Sequence, residues 1–560
     1  MTRRLPLAKG SPRSLDVRSQ RAVLLGPVQQ ENLALQYLAA AARRAGHEAH
    51  VVAYSYRSDL DEALRETLAL RPDLVGLGIA FQNNIEDYIA FMHALRARGY
   101  TGHLTCGGHV PTFCYRELLR DIPGLDTVVR HDGEETLCAV LDALGRSEPP
   151  RNIPGLVWRN GDDVGLGPVR TATGNLDDLA WPGRSRQPYT VGGLSVEFVI
   201  TARGCVGECN YCSIAAYTTE QQKRYRLRSP EAVAEEIAAL HHERGSRVVF
   251  IQDDLFVLPS EKKTVERVQR ITDSLRKRGA SELVFWVKGR PETITDAVCR
   301  ALVEMGVIHL FTGVENASAE RLGYLGRTHE PAHNLTALEL CRAHGIVASF
   351  NFMLFDPDCA LADIEETLAL ADQHLDLPWN VCRTEVYSGT ALRDRLEAEG
   401  RLEGDYRSYG YCMRDPRAEV LFRILRVSLH EHALAIESLL NRLISLSFAR
   451  QLHDRFFPGA ASRTLSRRVV EMSIEARTET LRTIREALDF VRSENIQNDA
   501  IVRRFAVSQA LALNARDRER RRATEELWQH LHLRGLTLMA QRGLSAVTPT
   551  RSGWGVAAGS

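Results

Sequence analysis

The chain reads as an α/β protein with a doubly wound parallel-sheet domain, a central partial (β/α)6 barrel and a helical C-terminal domain. Three observations carry that reading. Short apolar runs alternate with amphipathic stretches over residues 20–146. After a linker over 147–195 the same alternation resumes and continues to about residue 410. Beyond that point only helical periodicity remains, over 411–543.

Taken in order, residues 1–19 are a basic tail. Six Lys/Arg (Arg3, Arg4, Lys9, Arg13, Arg18 and Arg21) fall in the first 21 residues without an apolar core, so the segment reads as frayed chain rather than a secretory signal. Strand-like runs then occur at 22–25, 49–53, 74–79, 103–106 and 127–129, separated by helical patterns at 32–46, 60–70, 85–99 and 134–145. Five β-α units of this length predict an open parallel sheet, which binds ligands beyond the C-terminal ends of its strands. In the linker, Glu148-Pro149-Pro150, several glycines and a small hairpin near 156–160 break the alternation. Six further strand runs follow at 197–201, 247–251, 283–287, 308–312, 347–354 and 381–386. Ser229-Pro230 opens one of the intervening helices with an N-cap and a proline at N1. Six units fit a partial barrel more readily than a second open sheet, a point the sequence leaves open.

Helical stretches at 417–450, 465–493 and 499–540 complete the chain before a tail at 544–560 that is expected to be disordered. Within them, His430-Glu431-His432 places two histidines two residues apart, which is not H-E-x-x-H, and is expected on a solvated helical face. Arg516 to Arg522, interleaved with Asp517 and Glu519, reads as a charged surface helix.

Lys+Arg and Asp+Glu both number 71 among 560 residues, so no net charge calls for nucleic acid or an anionic membrane. The strongest apolar run, at 74–81, is too short to span a bilayer. The expected location is the cytoplasm. Eleven cysteines lie scattered over a long chain, which fits free thiols in a reducing compartment.

One cysteine group stands apart. Ala202-Arg203-Gly204-Cys205-Val206-Gly207-Glu208-Cys209-Asn210-Tyr211-Cys212 has C-x3-C-x2-C spacing and follows the first strand of the second α/β region. Barrel folds place their chemistry on loops at that end of a strand. Three thiolates can hold three irons of a [4Fe–4S] cluster and leave the fourth open. Zinc would want a fourth Cys or His at typical spacing, and no C-x2-C partner follows.

This spacing, with Tyr211 before the last cysteine, resembles the signature of radical S-adenosylmethionine (SAM) enzymes. The resemblance implies that SAM chelates the open iron and is cleaved to a 5′-deoxyadenosyl radical, with electrons from a donor such as flavodoxin or ferredoxin. It extends to Phe250-Ile251-Gln252-Asp253-Asp254-Leu255-Phe256, where the family's usual Gly-Gly-Glu is replaced by Gln-Asp-Asp, as in its cobalamin-dependent branch. Gly313-Val314-Glu315-Asn316-Ala317-Ser318, followed by Leu322 and Arg327, looks like the branch's ribose-binding motif, and Ser388-Gly389-Thr390 like its late Gly-Thr turn. The resemblance assigns Tyr211, Asp253, Asp254, Glu315 and Arg327 to SAM.

The first α/β region resembles the cobalamin-binding domain fused ahead of the radical domain in this branch. The residues that carry this are Gly76-Leu77-Gly78-Ile79-Ala80-Phe81-Gln82-Asn83, Cys106-Gly107-Gly108-His109 and His131-Asp132-Gly133-Glu134-Glu135-Thr136, each following a strand. Strand-end glycines let backbone approach a bulky ligand. Implied cobalamin contacts are Phe81, Gln82, Asn83, Gly107, Gly108, His109, Gly133 and Glu134. The chain lacks the Asp-x-His-x-x-Gly string whose histidine ligates cobalt in many cobalamin proteins. Base-off binding without a histidine ligand is therefore implied, with the lower face near Phe81 to Asn84. No G-x-G-x-x-G follows the first strand, which argues against a dinucleotide.

The resemblance implies a C-methyltransferase that acts on an unactivated carbon of a small-molecule or natural-product substrate, through methylcobalamin and a 5′-deoxyadenosyl radical. Four other readings carry less. One keeps the cofactors but rearranges or cyclises the substrate without methylating it. A methylthiotransferase would need cysteines for a second cluster, for which only Cys106, Cys114 and Cys138 are at hand, and a C-terminal β-barrel where helix is expected. A doubly wound domain could hold another nucleotide. A non-catalytic cobalamin or iron–sulfur sensor would not need SAM-type residues at successive strand ends.

Overall fold

A computed structural model describes residues 17–541 apart from Gln29, Thr173, Ser185, Arg186, Gln187, Gln222 and Asn495. Most of the expected basic tail and all of the 544–560 tail lie outside the described residues. The chain forms two compact units. The first comprises Met1–Arg186, Ala202–Ser229 and Glu385–Gly410, and the second Gln187–Thr201, Pro230–Thr384 and Tyr411–Ser560.

In the first unit, β1 (Arg21–Gly26), α1 (Leu33–Arg44), β2 (Glu48–Ala53), α2 (Leu60–Ala69), β3 (Leu74–Gly78), α3 (Ile85–Ala97), β4 (His103–Gly107), α4 (His109–Asp121), β5 (Thr127–Val129) and α5 (Glu134–Gly145) alternate as the periodicity predicts. The hairpin β6 (Leu156–Asn160) and β7 (Asp163–Leu166) extends the sheet, whose order is β2-β1-β3-β4-β5-β6-β7. The first five strands are parallel and the last two antiparallel.

Alternation along each strand sends side chains to both faces. Val23, Leu25, Val75, Leu77 and Leu104 pack with Leu64, Phe91 and Leu118 of α2 to α4. Ala22, Leu24 and Leu74 pack with Leu35, Ala39, Leu137 and Leu141 of α1 and α5. Both faces are therefore covered, as an all-parallel core requires. The order reverses between β1 and β3, so the switch-point crevice lies beyond Gly26 and Gly78.

The second unit begins with β8 (Tyr189–Val191) and β9 (Leu194–Val199). The chain then contributes β10 (Ala202–Gly204), α6 (Ser213–Thr219) and β11 (Tyr225–Leu227) to the first unit. It returns to the second unit with α7 (Pro230–Arg244), β12 (Val248–Ile251), α8 (Glu261–Lys277), β13 (Val284–Gly289), α9 (Asp296–Met305), β14 (Val307–Thr312), α10 (Ala319–Tyr324), α11 (Pro331–Ala343), β15 (Val347–Phe355), α12 (Leu361–Asp372) and β16 (Trp379–Arg383). The sheet order is β16-β15-β14-β13-β12-β9-β8. Its six parallel strands are neighbours in chain order, which is the winding of a barrel. The described sheet ends at β16 and β8, so the barrel is partial.

A buried column of Phe198, Phe250, Trp286 and His309 runs across these strands and meets Phe448. His309 sits between the Gln451 Oε1 (3.2 Å) and Ser349 Oγ (2.8 Å) atoms. Burial pushes its pKa down to about 4. The unfolded chain, with an ordinary histidine value of about 6.5, binds the proton first. Stability present above about pH 6.5 is therefore lost as the pH falls toward 4. We expect unfolding free energy from urea titrations to drop between pH 7 and pH 5, by up to about 2 kcal/mol from this group, and His309→Gln to flatten that slope.

The segment α13 (Ala391–Ala398), β17 (Leu402–Asp405) and β18 (Ser408–Tyr411) lies for the most part in the first unit. Four long elements, α14 (Pro416–Ser428), α15 (Leu439–Phe456), α16 (Ala460–Ser493) and α17 (Asp499–Gln541), form the expected helical region in the second unit. One expectation here is corrected. His432 does not lie on a solvated face but is fully buried in a π-helical turn, His430–Leu434. Its Nδ1 meets the fully buried Asp517 carboxylate at 2.5 Å, and its Nε2 faces the Ala476 carbonyl and the Thr480 hydroxyl. Asp517 accordingly points inward from a helix whose neighbouring arginines are otherwise charged surface. Among the described residues no helix is long and apolar enough to cross a membrane.

Candidate functional site

The three signature cysteines share one loop of the first unit, between β10 and α6. Cys209 is buried, and Cys205 and Cys212 are half-buried. The backbone N–H of Cys212 donates to the Cys209 carbonyl (3.2 Å), and the Gly207 N–H points at the Cys205 Sγ (3.3 Å). Just before Cys205, Gly204 has φ +87°, and an added Cβ would meet the Arg224 carbonyl and, at 2.9 Å, the Thr218 methyl. Only glycine fits there. We expect Gly204→Val to lower iron content several-fold on reconstitution while the cysteines stay intact, measured by iron and sulfide assay.

The loop is anchored further by α13, where the Leu392 N–H donates to the Asn210 carbonyl (2.9 Å). Tyr211 is half-buried on the same loop. Among the described residues, no group of three or more His, Cys, Asp or Glu side chains is gathered to hold a metal ion. The fold thus places the three thiols on one loop without closing them into a ligand set.

The residues assigned to cobalamin separate into two groups. Phe81, 42 % exposed, and the exposed Asn83 follow β3 at the switch point. Gly107, Gly108, His109 and Gly133 are half-buried at the ends of β4 and β5. Gln82 and Glu134 differ, because both are buried and engaged with protein. The Gln82 amide donates to the Tyr406 carbonyl (2.9 Å) and accepts from the Ser388 N–H (3.3 Å). Beside it the Cys114 thiol donates to the Ser388 hydroxyl (2.9 Å). Gln82 thus clamps the 385–410 segment, including the Ser388-Gly389-Thr390 turn, to the end of the first sheet. The Glu134 carboxylate is bound by Arg203 at 2.5 Å.

In the second unit, Asp253 is buried at the end of β12. It accepts from the Thr201 N–H (2.6 Å) and from the Thr201 hydroxyl, and Arg267 donates to the Thr201 carbonyl (3.2 Å). This carboxylate fixes the end of β9 to the end of β12. Asp254, next to it, is exposed.

Glu315 lies past β14 with a left-handed φ of +61°, its carbonyl accepting from the Met353 N–H (2.6 Å). Its carboxylate stands 3.6 Å from the Arg327 guanidinium, which also donates to the Gly313 carbonyl. A Cβ at Gly313 would come within 2.7 Å of the Glu315 Oε1 atom, so this glycine makes room for the pair. Asn316 holds the turn through the Met353 carbonyl, the Ser318 N–H and the Thr367 hydroxyl. Asn334 donates to the carbonyls of Val314 and Asn316. Sequence reasoning missed Asn334 and Thr367. Their signal was a polar residue within an apolar stripe, with Ala337, Leu338 and Cys341 following Asn334, and Ile364 and Leu368 flanking Thr367.

Comparison with known proteins decides the family. Residues 27–141 match the B12 binding domain and residues 199–371 match the radical SAM superfamily. The chain belongs to the cobalamin-dependent radical SAM family. Family members similar to it include an uncharacterized methyltransferase of Pyrococcus horikoshii, 28 % identical over 59 % of this chain and 71 % of the relative. The hopanoid C-3 methylase of Methylococcus capsulatus is 28 % identical over 59 % of this chain and 61 % of the relative. An anaerobic magnesium-protoporphyrin IX monomethyl ester cyclase of Cereibacter sphaeroides is 26 % identical over 69 % and 63 %. The chain thus spans less than two thirds of the last two. Among solved structures, the radical SAM methyltransferase TsrM of Kitasatospora setae, with cobalamin and a [4Fe–4S] cluster bound, aligns with a TM-score of 0.58 at 19 % identity, over 68 % of this chain and 75 % of its own. The cobalamin-dependent radical enzyme OxsB aligns with a TM-score of 0.62 at 14 % identity, over 96 % and 82 %. These likenesses establish the fold.

The family's cofactors are a [4Fe–4S] cluster, SAM and cobalamin, and the residues present fit them. Three sulfur donors on one loop, at C-x3-C-x2-C spacing, match a cluster that keeps one iron for an outside ligand. An exposed aromatic ring follows β3 at the switch point and half-buried glycines end β4 and β5, along the C-terminal edge where doubly wound sheets bind ligands.

Proposed function

We propose that this enzyme is a radical C-methyltransferase that methylates an unactivated carbon of a small-molecule or natural-product substrate. One observation carries the reading: a B12-binding match and a radical SAM match lie in one chain whose relatives include proteins named as methyltransferases. When bound, the cofactors supply a carbon-centred radical and a transferable methyl group, and the protein supplies binding, orientation and exclusion of water.

Cys205, Cys209 and Cys212 hold the cluster. In the second unit, Asp254, Glu315 and Arg327 are the SAM candidates. Asp253 acts on this set as a brace, because its carboxylate is taken by Thr201. Phe81, Asn83 and the strand-end glycines are the cobalamin contacts, without a histidine on cobalt. A low-potential donor of the flavodoxin or ferredoxin kind supplies electrons in the cytoplasm.

The test is anaerobic reconstitution with iron, sulfide and hydroxocobalamin, followed by turnover with methyl-labelled SAM over a panel of small molecules. Methylated product with S-adenosylhomocysteine and 5′-deoxyadenosine supports the reading. A changed but unmethylated product with 5′-deoxyadenosine would favour a rearranging or cyclising enzyme, the reading that the cyclase relatives favour. Failure to cleave SAM at all would overturn both.

A further inference from the structure

The flanks of the cysteine loop carry buried charge that the cofactor assignments do not use. Strands β10 and β11 pair with Arg203 opposite Arg226. Both arginines turn toward the loop between β5 and α5. Arg203 binds the Glu134 carboxylate at 2.5 Å and stands 3.6 Å from Asp132, and Arg226 binds Asp132 at 2.8 Å. Arg226, Asp132 and Glu134 are buried and Arg203 is half-buried, with 5 %, 7 %, 7 % and 16 % of their side-chain surface exposed. Two positive and two negative charges balance, which is the condition under which buried ions are tolerated. The Arg203 guanidinium also covers the Tyr37 ring, 5.2 Å from its centroid.

A second set of contacts repeats the link on the other side of the cysteines. Tyr217 of α6 packs edge-on against His109 (4.5 Å) and His131 (5.1 Å). Glu220 accepts from Arg130 (2.6 Å) and meets the His131 Nε2 atom at 3.1 Å. Thus His109 at the start of α4 and the run from Arg130 to Glu134 grip the loop's two ends, while Gly107, Gly108 and Gly133 beside them border the C-terminal edge of the first sheet.

We propose that Arg203, held by Glu134 and Asp132, is a positioning residue that links the cysteine loop to the cobalamin-binding edge, so that cluster loading and corrinoid binding favour one another. Burial opposes ionisation of Asp132, yet the Arg203 and Arg226 guanidiniums outweigh it and hold its carboxyl below the usual range. The Asp132 carboxylate therefore stays paired with both guanidiniums and ties the β10–β11 flank of the loop to the segment between β5 and α5. An Arg-carboxylate contact of this kind is directional, and lysine reproduces its charge without its fork. The proposal rests on the cofactor reading above.

Linkage is reciprocal, so it can be read from either ligand. Hydroxocobalamin affinity is measured by visible absorbance on full-length protein, before and after reconstitution with ferrous iron and sulfide. We expect cluster-loaded wild type to bind about ten-fold tighter than cluster-free wild type. In Glu134→Gln and Arg203→Met this ratio falls toward one, and in Arg203→Lys it is intermediate. Iron content and far-UV circular dichroism accompany each variant, and Arg203→Lys keeps the test decisive should the neutral variants misfold. A wild-type ratio of one, or the same ratio in wild type and variants, overturns the linkage and leaves the cofactor assignments standing. Wild type that takes up no corrinoid or no iron overturns both.

Discussion

Replacing Cys205, Cys209 and Cys212 together by alanine is expected to remove the iron–sulfur cluster and abolish SAM cleavage while corrinoid still binds, about ten-fold more weakly. Iron–sulfur clusters are held by thiolates, and no other Cys, His, Asp or Glu group among the described residues stands ready to take their place. The backbone of the loop is fixed independently, by the β10–β11 pair, the Gly204 turn and the Asn210 carbonyl, so the fold should survive. The candidate cobalamin contacts Phe81 and Asn83 follow β3 and Gly107 ends β4, apart in sequence from the cysteine loop. Iron should fall from about four per chain to background. The rate loss should be on the order of 10⁶-fold, the lower end of what enzymes contribute over an uncatalysed reaction. Iron and corrinoid quantification with a 5′-deoxyadenosine assay checks all three points. Cluster retention in the variant would show that these cysteines are not its ligands.

The largest effect on stability is expected in the helical region. Asp517→Ala strands His432 in a site with no exposure, leaving its Nδ1 without the carboxylate that faces it at 2.5 Å. Removing one partner of a buried hydrogen-bonded pair costs about 1–3 kcal/mol, because the remaining group keeps its desolvation penalty. Chemical denaturation should show that loss. The double variant Asp517→Leu with His432→Leu should recover part of it, since the stranded imidazole is removed as well. A double variant as unstable as the single one would place the cost in packing rather than in the pair.

The outcomes for particular elements show what local pattern could and could not carry. The five β-α units and six barrel strands were legible because alternation and amphipathicity are local. The family comparisons agree with the two α/β regions so identified. His432 was misread for the same reason. Helical periodicity reports which face a residue occupies but not what covers that face, and here Thr480 of α16 and Asp517 of α17 cover it. Glu134 and Gln82 each follow a strand end, which the local pattern shows. Their partners, Arg203 and the Ser388 N–H, lie far along the chain and reach them only through folding. Asp253 is similar, since its neighbour Thr201 ends a different strand.

By itself the sequence determined the donor chemistry and the order of the layers. Thiolate identity and spacing are local properties, and hydrophobic period is set by helix and strand geometry. Only the tertiary structure decided which polar residues at the strand ends are already committed. Asn83 is left exposed, whereas Gln82, Glu134 and Asp253 are taken up by Ser388, Arg203 and Thr201. A buried polar group must find a partner, and packing alone brings distant ones within reach.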